Sequence, residues 1–167
     1  MKTKENITLI GMPAVGKTTV GNLLAQKIGF DFLDTDDLIQ SKEQKTLSQI
    51  ISEKGLDRFL QIEEAHIVSI ACTNHVIATG GSVVYRPKAM EHLSANSTII
   101  YLSIDLDKLL TRLLDTYSRG VAISRGKSIE DLYKERTPLY DTYYDIKIDC
   151  DAMTPEQVLE KTMVYLS

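Results

Sequence analysis

The stretch Gly11-Met12-Pro13-Ala14-Val15-Gly16-Lys17-Thr18 decides how this chain folds. It matches the pattern G-x-x-x-x-G-K-[ST] at every fixed position. It follows Ile7-Thr8-Leu9-Ile10, an unalternating apolar run typical of a strand buried on both faces. After it, apolar residues recur at helical spacing as far as Gly29, which stands where a helix C-cap belongs. This order of strand, loop and helix predicts a loop that binds phosphate.

Each fixed residue of the loop has a chemical reason to be there. Gly11 and Gly16 let the backbone turn tightly so that its N–H groups converge on phosphate oxygens at a helix N-terminus. Lys17 supplies a charge for the β- and γ-phosphates, and Thr18 offers a hydroxyl to Mg²⁺. The residues that we expect to bind nucleotide here are Gly11, Ala14, Val15, Gly16, Lys17, Thr18 and Thr19. The alternative is a glycine-rich turn that caps a helix and carries its lysine by chance.

The remaining elements alternate between strand and helix. Further short strands are predicted at Phe32–Leu33, Val76–Ala78, Thr98–Leu102 and Ile146–Ile148. Further helices are predicted at Leu47–Ile51, Phe59–Ile70, Leu106–Leu114 and from Thr154-Pro155 onward. Such alternation predicts an α/β fold with a parallel sheet covered on both faces. Ligands of these sheets bind outside the carboxyl ends of the strands, where every motif of this chain falls.

Composition excludes several classes of protein. With 167 residues, 43% of them hydrophobic and 25% charged, we expect one globular domain over residues 1–167 rather than a disordered chain or a coiled coil. Apolar runs stay far below the ~20 residues of a membrane span. The net charge of −4 does not favour nucleic-acid binding. Two cysteines without an export signal indicate reduced thiols and a cytoplasmic protein.

A cluster of acidic residues, Asp34-Thr35-Asp36-Asp37, follows the second strand. Carboxylates at positions i and i+2 after a strand can point into the same cleft. There, Asp34 would serve the Mg²⁺ shell and Asp36 would accept the proton of an attacking hydroxyl. The alternative for both is helix capping. Asp37 is interpreted as a first-turn charge only. His66, His75 and His92 have no metal-ligand spacing.

Three segments together resemble the shikimate kinase family of small P-loop kinases. Phe32 to Ile39 resembles that family's D-T-D segment, and Ile77-Ala78-Thr79-Gly80-Gly81 resembles its glycine-rich strand end. Glu135-Arg136-Thr137-Pro138-Leu139-Tyr140 resembles its E-R-x-P-L-Y helix. The match runs in order from about Ile7 to Leu166.

The resemblance implies a five-stranded parallel sheet flanked by helices, with a mobile lid at about 115–127 and acceptor-binding helices at about 35–72. It implies transfer of the γ-phosphoryl group of ATP to the 3-hydroxyl of shikimate, in aromatic amino-acid biosynthesis. We expect ATP and Mg²⁺ as cofactors, a small hydroxy acid as the partner, and a monomer. The roles that it implies involve Lys17 at phosphate, Thr18 and Asp34 at Mg²⁺, Asp36 as the base, Gly80, Gly81 and Arg136 at the acceptor, Arg119 at the transferring phosphoryl group, and Arg112 and Pro155 beside the adenine.

The roles of three arginines can also be interpreted without the family resemblance. Arg119 lies in a stretch flexed by Gly120 and Gly126, which suits a lid, although a solvated surface loop is the alternative. Arg136 is planar and permanently charged, which suits a bidentate grip on a carboxylate; a pairing along its own helix, for example with Tyr140, is the alternative. For Arg112 the alternative is an ordinary helix-surface charge.

Four departures from the family pattern cluster at the acceptor side. Where the family has G-E-x-x-F-R-x-x-E, this chain has Leu56 for the first Glu and Leu60 for the arginine. Ser82 replaces a third glycine, and the lid carries Arg119-Gly120-Val121-Ala122 in place of R-P-L-L. Losing one charged hydrogen-bond partner costs ~1.5–3 kcal/mol. Alternatives therefore stay open: a related kinase for another polyol acid, such as gluconate, or a nucleotide-binding protein without transfer activity.

Overall fold

The computed structural model describes residues 4–117 and 126–167, and these form one five-stranded parallel sheet with helices around it. The strands are β1 (Asn6–Ile10), β2 (Asp31–Asp34), β3 (His75–Ala78), β4 (Ser97–Ser103) and β5 (Ile146–Asp149). Their order across the sheet is β2-β3-β1-β4-β5. The α/β fold and its parallel sheet are confirmed.

The described helices lie in the connections between the strands, and the last one follows β5. They are α1 (Lys17–Ile28), α2 (Thr35–Glu43), α3 (Leu47–Lys54), α4 (Leu56–Val68), α5 (Pro87–Asn96), α6 (Leu106–Tyr117), α7 (Ile129–Tyr143) and α8 (Pro155–Leu166). A short 3₁₀ turn, Val83–Tyr85, precedes α5. Within the described ranges, no helix is long and apolar enough to cross a membrane.

β1 lies at the centre of the sheet, paired with β3 on one side and β4 on the other. All five of its residues are buried, as expected for a central parallel strand with helices on both faces. The loop that follows β1 therefore emerges at the middle of the sheet's carboxyl edge. The ends of β2 and β3 lie beside it.

The apolar core has two parts. The main cluster packs both faces of the sheet against the surrounding helices. A smaller cluster of Ile39, Ile50, Phe59 and Ile62 holds α2, α3 and α4 together. Leu60 is half-buried and packs against this smaller cluster. The smaller cluster thus fixes α2, α3 and α4 relative to one another.

Four helices differ from the sequence-based expectation. α3 and α6 each extend three residues beyond their predicted ends, to Lys54 and Tyr117. α5 was not expected, although Pro87 occupies its first turn and Ala89, Met90 and Leu93 form a buried stripe. A proline that opens a helix has the same sequence appearance as a proline that ends one. α4 begins at Leu56 rather than Phe59 and ends at Val68 rather than Ile70, because Gly55 at φ 80° provides the N-cap before a polar first turn.

Candidate active site

The phosphate loop is a tight turn that its residues make possible. Gly11 has φ +147°, and a Cβ on it would lie 2.5 Å from the backbone oxygen of Leu102 on β4. Ala14 also has a left-handed backbone, at φ 64°. The Val15 N–H donates to the Met12 oxygen at 3.3 Å, and the Val15 side chain is buried. The loop is thus packed against the sheet and closed by its own hydrogen bond.

Lys17 is folded back onto this loop. Its Nζ donates to the carbonyl oxygens of Gly11 at 2.7 Å and Met12 at 2.8 Å, and the residue is 8% exposed. The ammonium is thus enclosed by the loop's own carbonyls rather than extended into solvent. Burial lowers the pKa of Lys17 to about 8, with Asp36 acting in the opposite direction.

Thr18 and Asp34 meet across the start of the cleft. The Thr18 hydroxyl donates to Asp34 Oδ2 at 2.9 Å. The other oxygen of Asp34 caps α2, accepting from the N–H groups of Asp36 at 2.9 Å and Asp37 at 3.4 Å. Asp34 is therefore both a helix cap and a cleft residue, one oxygen for each. Thr18 and the next residue, Thr19, are exposed in the first turn of α1.

Asp36 carries an oxygen that is buried without a partner. Its Oδ1 has no hydrogen bond to any described residue. A Cβ on Gly80 would lie 2.8 Å from this oxygen, so the close approach of β3's end to Asp36 favours glycine. Burial, followed by the charge of Asp34, raises the pKa of Asp36 to about 6, and Lys17 opposes this. The environment is that of a carboxylate able to exchange a proton near neutral pH.

Glu63 is a second buried carboxylate at the same place; it holds the last Glu of the G-E-x-x-F-R-x-x-E pattern, but the sequence analysis gave it no role. Its Oε1 lies 3.0 Å from the same Cβ position on Gly80, and the residue is 0% exposed. The Ser82 hydroxyl lies 3.0 Å from Oε1 and 2.9 Å from Oε2. Burial raises the pKa of Glu63 to about 7. Its retained place in the family pattern, together with the departure at Ser82 that bonds to it, was the available signal.

Arg136 lies over Gly81. Its Nη1 would be 2.8 Å from a Cβ at Gly81, and the residue is 8% exposed. Its Nε donates to the Tyr85 hydroxyl at 3.3 Å, and its guanidinium lies over the Tyr85 ring. The guanidinium therefore contacts Tyr85 in the turn before α5 and also lies near Tyr140 on its own helix. Tyr140 donates its hydroxyl to the Gly81 oxygen at 2.6 Å.

Arg112 joins the phosphate loop to the loop that follows β5. It donates to the Val15 oxygen at 2.9 Å and to the Cys150 oxygen at 2.8 Å. It is half-buried, which is unlike an ordinary surface charge. Pro155 is the exposed first residue of α8. Arg119 and most of the expected lid, residues 118–125, lie outside the described residues.

Comparisons with known proteins identify the family. The family model for shikimate kinase matches residues 13–167. A shikimate kinase of Thermodesulfovibrio yellowstonii is 39% identical over 160 residues, covering 94% of this chain and 92% of that protein. Human threonine synthase-like 1 is 35% identical over 162 residues, covering 95% of this chain but 22% of that protein.

A solved structure shares the whole architecture. It is the shikimate kinase from Acinetobacter baumannii in complex with shikimate, with a TM-score of 0.86 and 28% identity, and the match covers 99% of this chain and 94% of that one. The likeness thus extends over nearly the whole of both chains. With its phosphate loop, its D-T-D segment and its E-R-x-P-L-Y helix, the chain belongs to the shikimate kinase family and is a small-molecule kinase.

Proposed function

We propose that this kinase transfers the γ-phosphoryl group of ATP to the 3-hydroxyl of shikimate. The observation that carries the proposal is the position of Asp36, which adjoins Gly80 and lies within electrostatic reach of Lys17. A carboxylate in that position lies near the ammonium of Lys17, which we expect to bind phosphate. It also lies beside Gly80, where the lack of a side chain lets an acceptor approach the backbone. The proposal includes a role in aromatic amino-acid biosynthesis, a cytoplasmic location, one domain over residues 1–167 and a monomeric state.

Asp36 acts as the general base in this proposal. It accepts the proton of the attacking hydroxyl, which makes the hydroxyl oxygen a stronger nucleophile during phosphoryl transfer. Lys17 moves its hydrogen bonds from the loop carbonyls to phosphate oxygens, where the ammonium offsets developing charge. Arg136 binds the acceptor's carboxylate above Gly81. By resemblance to the family, Arg119 contributes a further cation, and Arg112 and Pro155 flank the adenine.

Mg²⁺ fits the pair formed by Thr18 and Asp34. A hydroxyl and a carboxylate oxygen 2.9 Å apart at an exposed site are the hard oxygen donors that Mg²⁺ prefers beside substrate phosphates. When bound, the ion neutralises phosphate charge. Thr18 and Asp34 would hold it, with the remaining oxygen of Asp34 still capping α2.

The second candidate is a kinase for a different polyol acid, and Leu60 is the observation that favours it. With leucine where the family pattern has arginine, the described acceptor side presents Arg136 as the cation nearest Gly81. Arg86, on the same side, is engaged by Glu64. A nucleotide-binding protein without transfer activity is the third candidate, and the buried, unpartnered oxygen of Asp36 argues against it because nucleotide binding alone gives no reason for it.

Product identification tests the proposal. The purified chain, MgATP and shikimate should yield shikimate 3-phosphate, detected by mass and by the ³¹P signal of the new ester. Asp36→Asn should bind ATP as the wild type does and form product about 10²- to 10⁴-fold more slowly, since it lacks the base. Asp37→Asn, on the exposed side of the same helix turn, is the matched control. Product formation by Asp36→Asn at the wild-type rate would contradict the role of Asp36.

A further inference from the structure

We propose that Tyr85 is a positioning residue that fixes the plane of Arg136 and thereby sets how strongly this kinase selects an acceptor with a carboxylate. The inference rests on the proposed function for the acceptor's identity. Tyr85 belongs to no motif that the sequence singled out. It lies 51 positions from Arg136 along the chain and reaches it only through the fold.

Two contacts hold the guanidinium of Arg136. The Cζ atom of Arg136 lies 5.2 Å from the centroid of the Tyr85 ring, within the range of a cation–π contact. The Nε–H group donates to the Tyr85 hydroxyl at 3.3 Å. One contact fixes the face of the planar group and the other fixes its rotation within that plane. These contacts orient the terminal amino groups: Nη1 lies against Gly81, and the guanidinium also hydrogen-bonds with the Tyr140 side chain.

The direction of each hydrogen bond at the Tyr85 hydroxyl follows from chemistry. A hydroxyl has one proton to donate and lone pairs to accept with. Arg136 can only donate, so the hydroxyl accepts from it and donates its own proton to Glu135 Oε2 at 2.9 Å. Glu135 also receives a hydrogen bond from Lys127, and these two bonds hold the pKa of Glu135 below its ordinary value. The hydroxyl therefore has a fixed orientation.

The backbone of Tyr85 is also held firmly. Its N–H donates to the Ser82 oxygen at 3.0 Å, and the preceding residues Val83 and Val84 are buried in the main core. Tyr85 thus extends from a rigid turn directly after the two glycines that border the acceptor side. A side chain on such a support can restrict Arg136 at little cost in entropy at the moment of binding.

The departure at position 60 makes this restriction matter more in this chain. The family pattern has two arginines for the acceptor, and this chain has Leu60 in place of one of them. A single guanidinium that is free to rotate binds a carboxylate less well than one whose terminal amino groups already face it. Tyr85 supplies that preorganisation.

The test compares two acceptors in three variants. Shikimate and its carboxamide differ in the carboxylate alone, so the ratio of their kcat/KM values measures what Arg136 contributes. In Tyr85→Leu the KM for shikimate should rise about 10- to 100-fold and the ratio should fall by the same factor, with the KM for ATP unchanged. Tyr85→Phe keeps the ring and should show about a 3- to 10-fold effect. Tyr133→Phe removes a hydroxyl of the same helix as Arg136, one that donates to the Ile104 oxygen, and should leave the ratio unchanged.

A measurement without any acceptor separates this inference from the proposed function. The Arg136 Nε–H signal in the ¹H–¹⁵N spectrum, assigned by its loss in Arg136→Lys, should exchange slowly with water in the wild type. In Tyr85→Phe the exchange should become about 10-fold faster or more, because the acceptor of that proton is gone. Unchanged exchange in Tyr85→Phe, or an unchanged acceptor ratio in Tyr85→Leu, overturns the role of Tyr85. A wild type that fails to phosphorylate shikimate defeats the proposed function instead, and the exchange measurement still decides on Tyr85.

Discussion

Lys17 is enclosed by the carbonyls of Gly11 and Met12, and this geometry sets the effect of removing it. Lys17→Ala should lower kcat by about 10²- to 10³-fold, since the phosphates lose their nearest ammonium. We expect the free energy of unfolding to change by about 1 kcal/mol or less, because the two lost hydrogen bonds are offset by the removal of a buried charge. Lys27→Ala, in the exposed last turn of α1, is the control. Turnover assays and urea unfolding check both statements, and wild-type turnover would remove Lys17 from the phosphate site.

The cap that Asp34 provides for α2 and its proposed role at Mg²⁺ can be separated by one substitution. Asn at this position keeps a side-chain oxygen for the N–H groups of Asp36 and Asp37 but loses the charge that faces Thr18. Asp34→Asn should therefore raise the Mg²⁺ concentration needed for half-maximal rate by about 10-fold or more, with helix α2 and the acceptor KM little changed. A Mg²⁺ titration of the rate measures this. Identical titration curves for wild type and variant would reduce Asp34 to a helix cap.

Glu63 should make the protein less stable as the pH rises. Its pKa is raised from 4.5 to about 7, so the folded state holds this proton more tightly than the unfolded chain does. The stability that the proton brings is full below pH 4.5 and is lost as the pH rises through about 7. Around the carboxylate, Asp36 raises this pKa further, whereas Ser82, Arg136 and Arg86 lower it.

Glu63→Gln removes this titration and keeps the shape and the bonding to Ser82. The variant should be more stable than wild type at pH 8, by up to ~3 kcal/mol, and nearly equal to it at pH 5. Glu64→Gln, whose partner is Arg86 at the edge of the site, is the matched control and should not show this pattern. Urea unfolding at the two pH values gives the comparison. A variant that is less stable than wild type at both would mean that Glu63 is ionised and paired in the folded state.

At the scale of elements, α4 carries the residues on which the proposed acceptor specificity depends. Leu60 and Glu63 stand one turn apart on the same face of this helix, and Glu63 faces Gly80 and Ser82. An arginine at position 60 would therefore have a buried carboxylate within reach, and would turn Glu63 from a hydroxyl-bonded acid into the partner of a cation.

Leu60→Arg should tighten shikimate by up to ~10- to 150-fold if shikimate is the native acceptor, because the carboxylate gains a second guanidinium. If the acceptor carries an apolar group at that place, the same change weakens its binding by burying an unpaired charge. Calorimetric titration of wild type and variant gives the sign, and Arg58→Leu, two positions earlier on an exposed part of the helix, is the control. An unchanged affinity would show that position 60 serves the small apolar cluster alone.

At the scale of the whole molecule, the features that sequence predicts are those set by neighbouring residues. The phosphate loop, its strand and its helix depend on contacts within about twenty residues, and the fold follows from the alternation of such units. Helix α5 was missed because Pro87 can open or end a helix, and its buried stripe is recognisable only once β4 lies beneath it.

The parts of the site that sequence did not predict depend on distant contacts. Tyr85 contacts Arg136 although 51 positions of the chain separate them. The surroundings of Glu63 are set by Asp36 and Gly80, which lie in other parts of the chain. Lys17 follows directly from the loop pattern, but no local pattern reports that two carbonyls enclose its ammonium. Departures from a family pattern, here Leu60 and Ser82, are the sequence signal that points to such places.

Acceptor-dependent release of ADP tests the central claim most directly. The purified chain would be assayed with MgATP and, in turn, shikimate, quinate, gluconate or no acceptor. We predict rapid ADP release with shikimate, at least ~100-fold above the rate without acceptor, and little stimulation by gluconate. The same ADP release with or without shikimate, or stimulation by gluconate alone, would contradict the assignment of this chain as a kinase acting on shikimate.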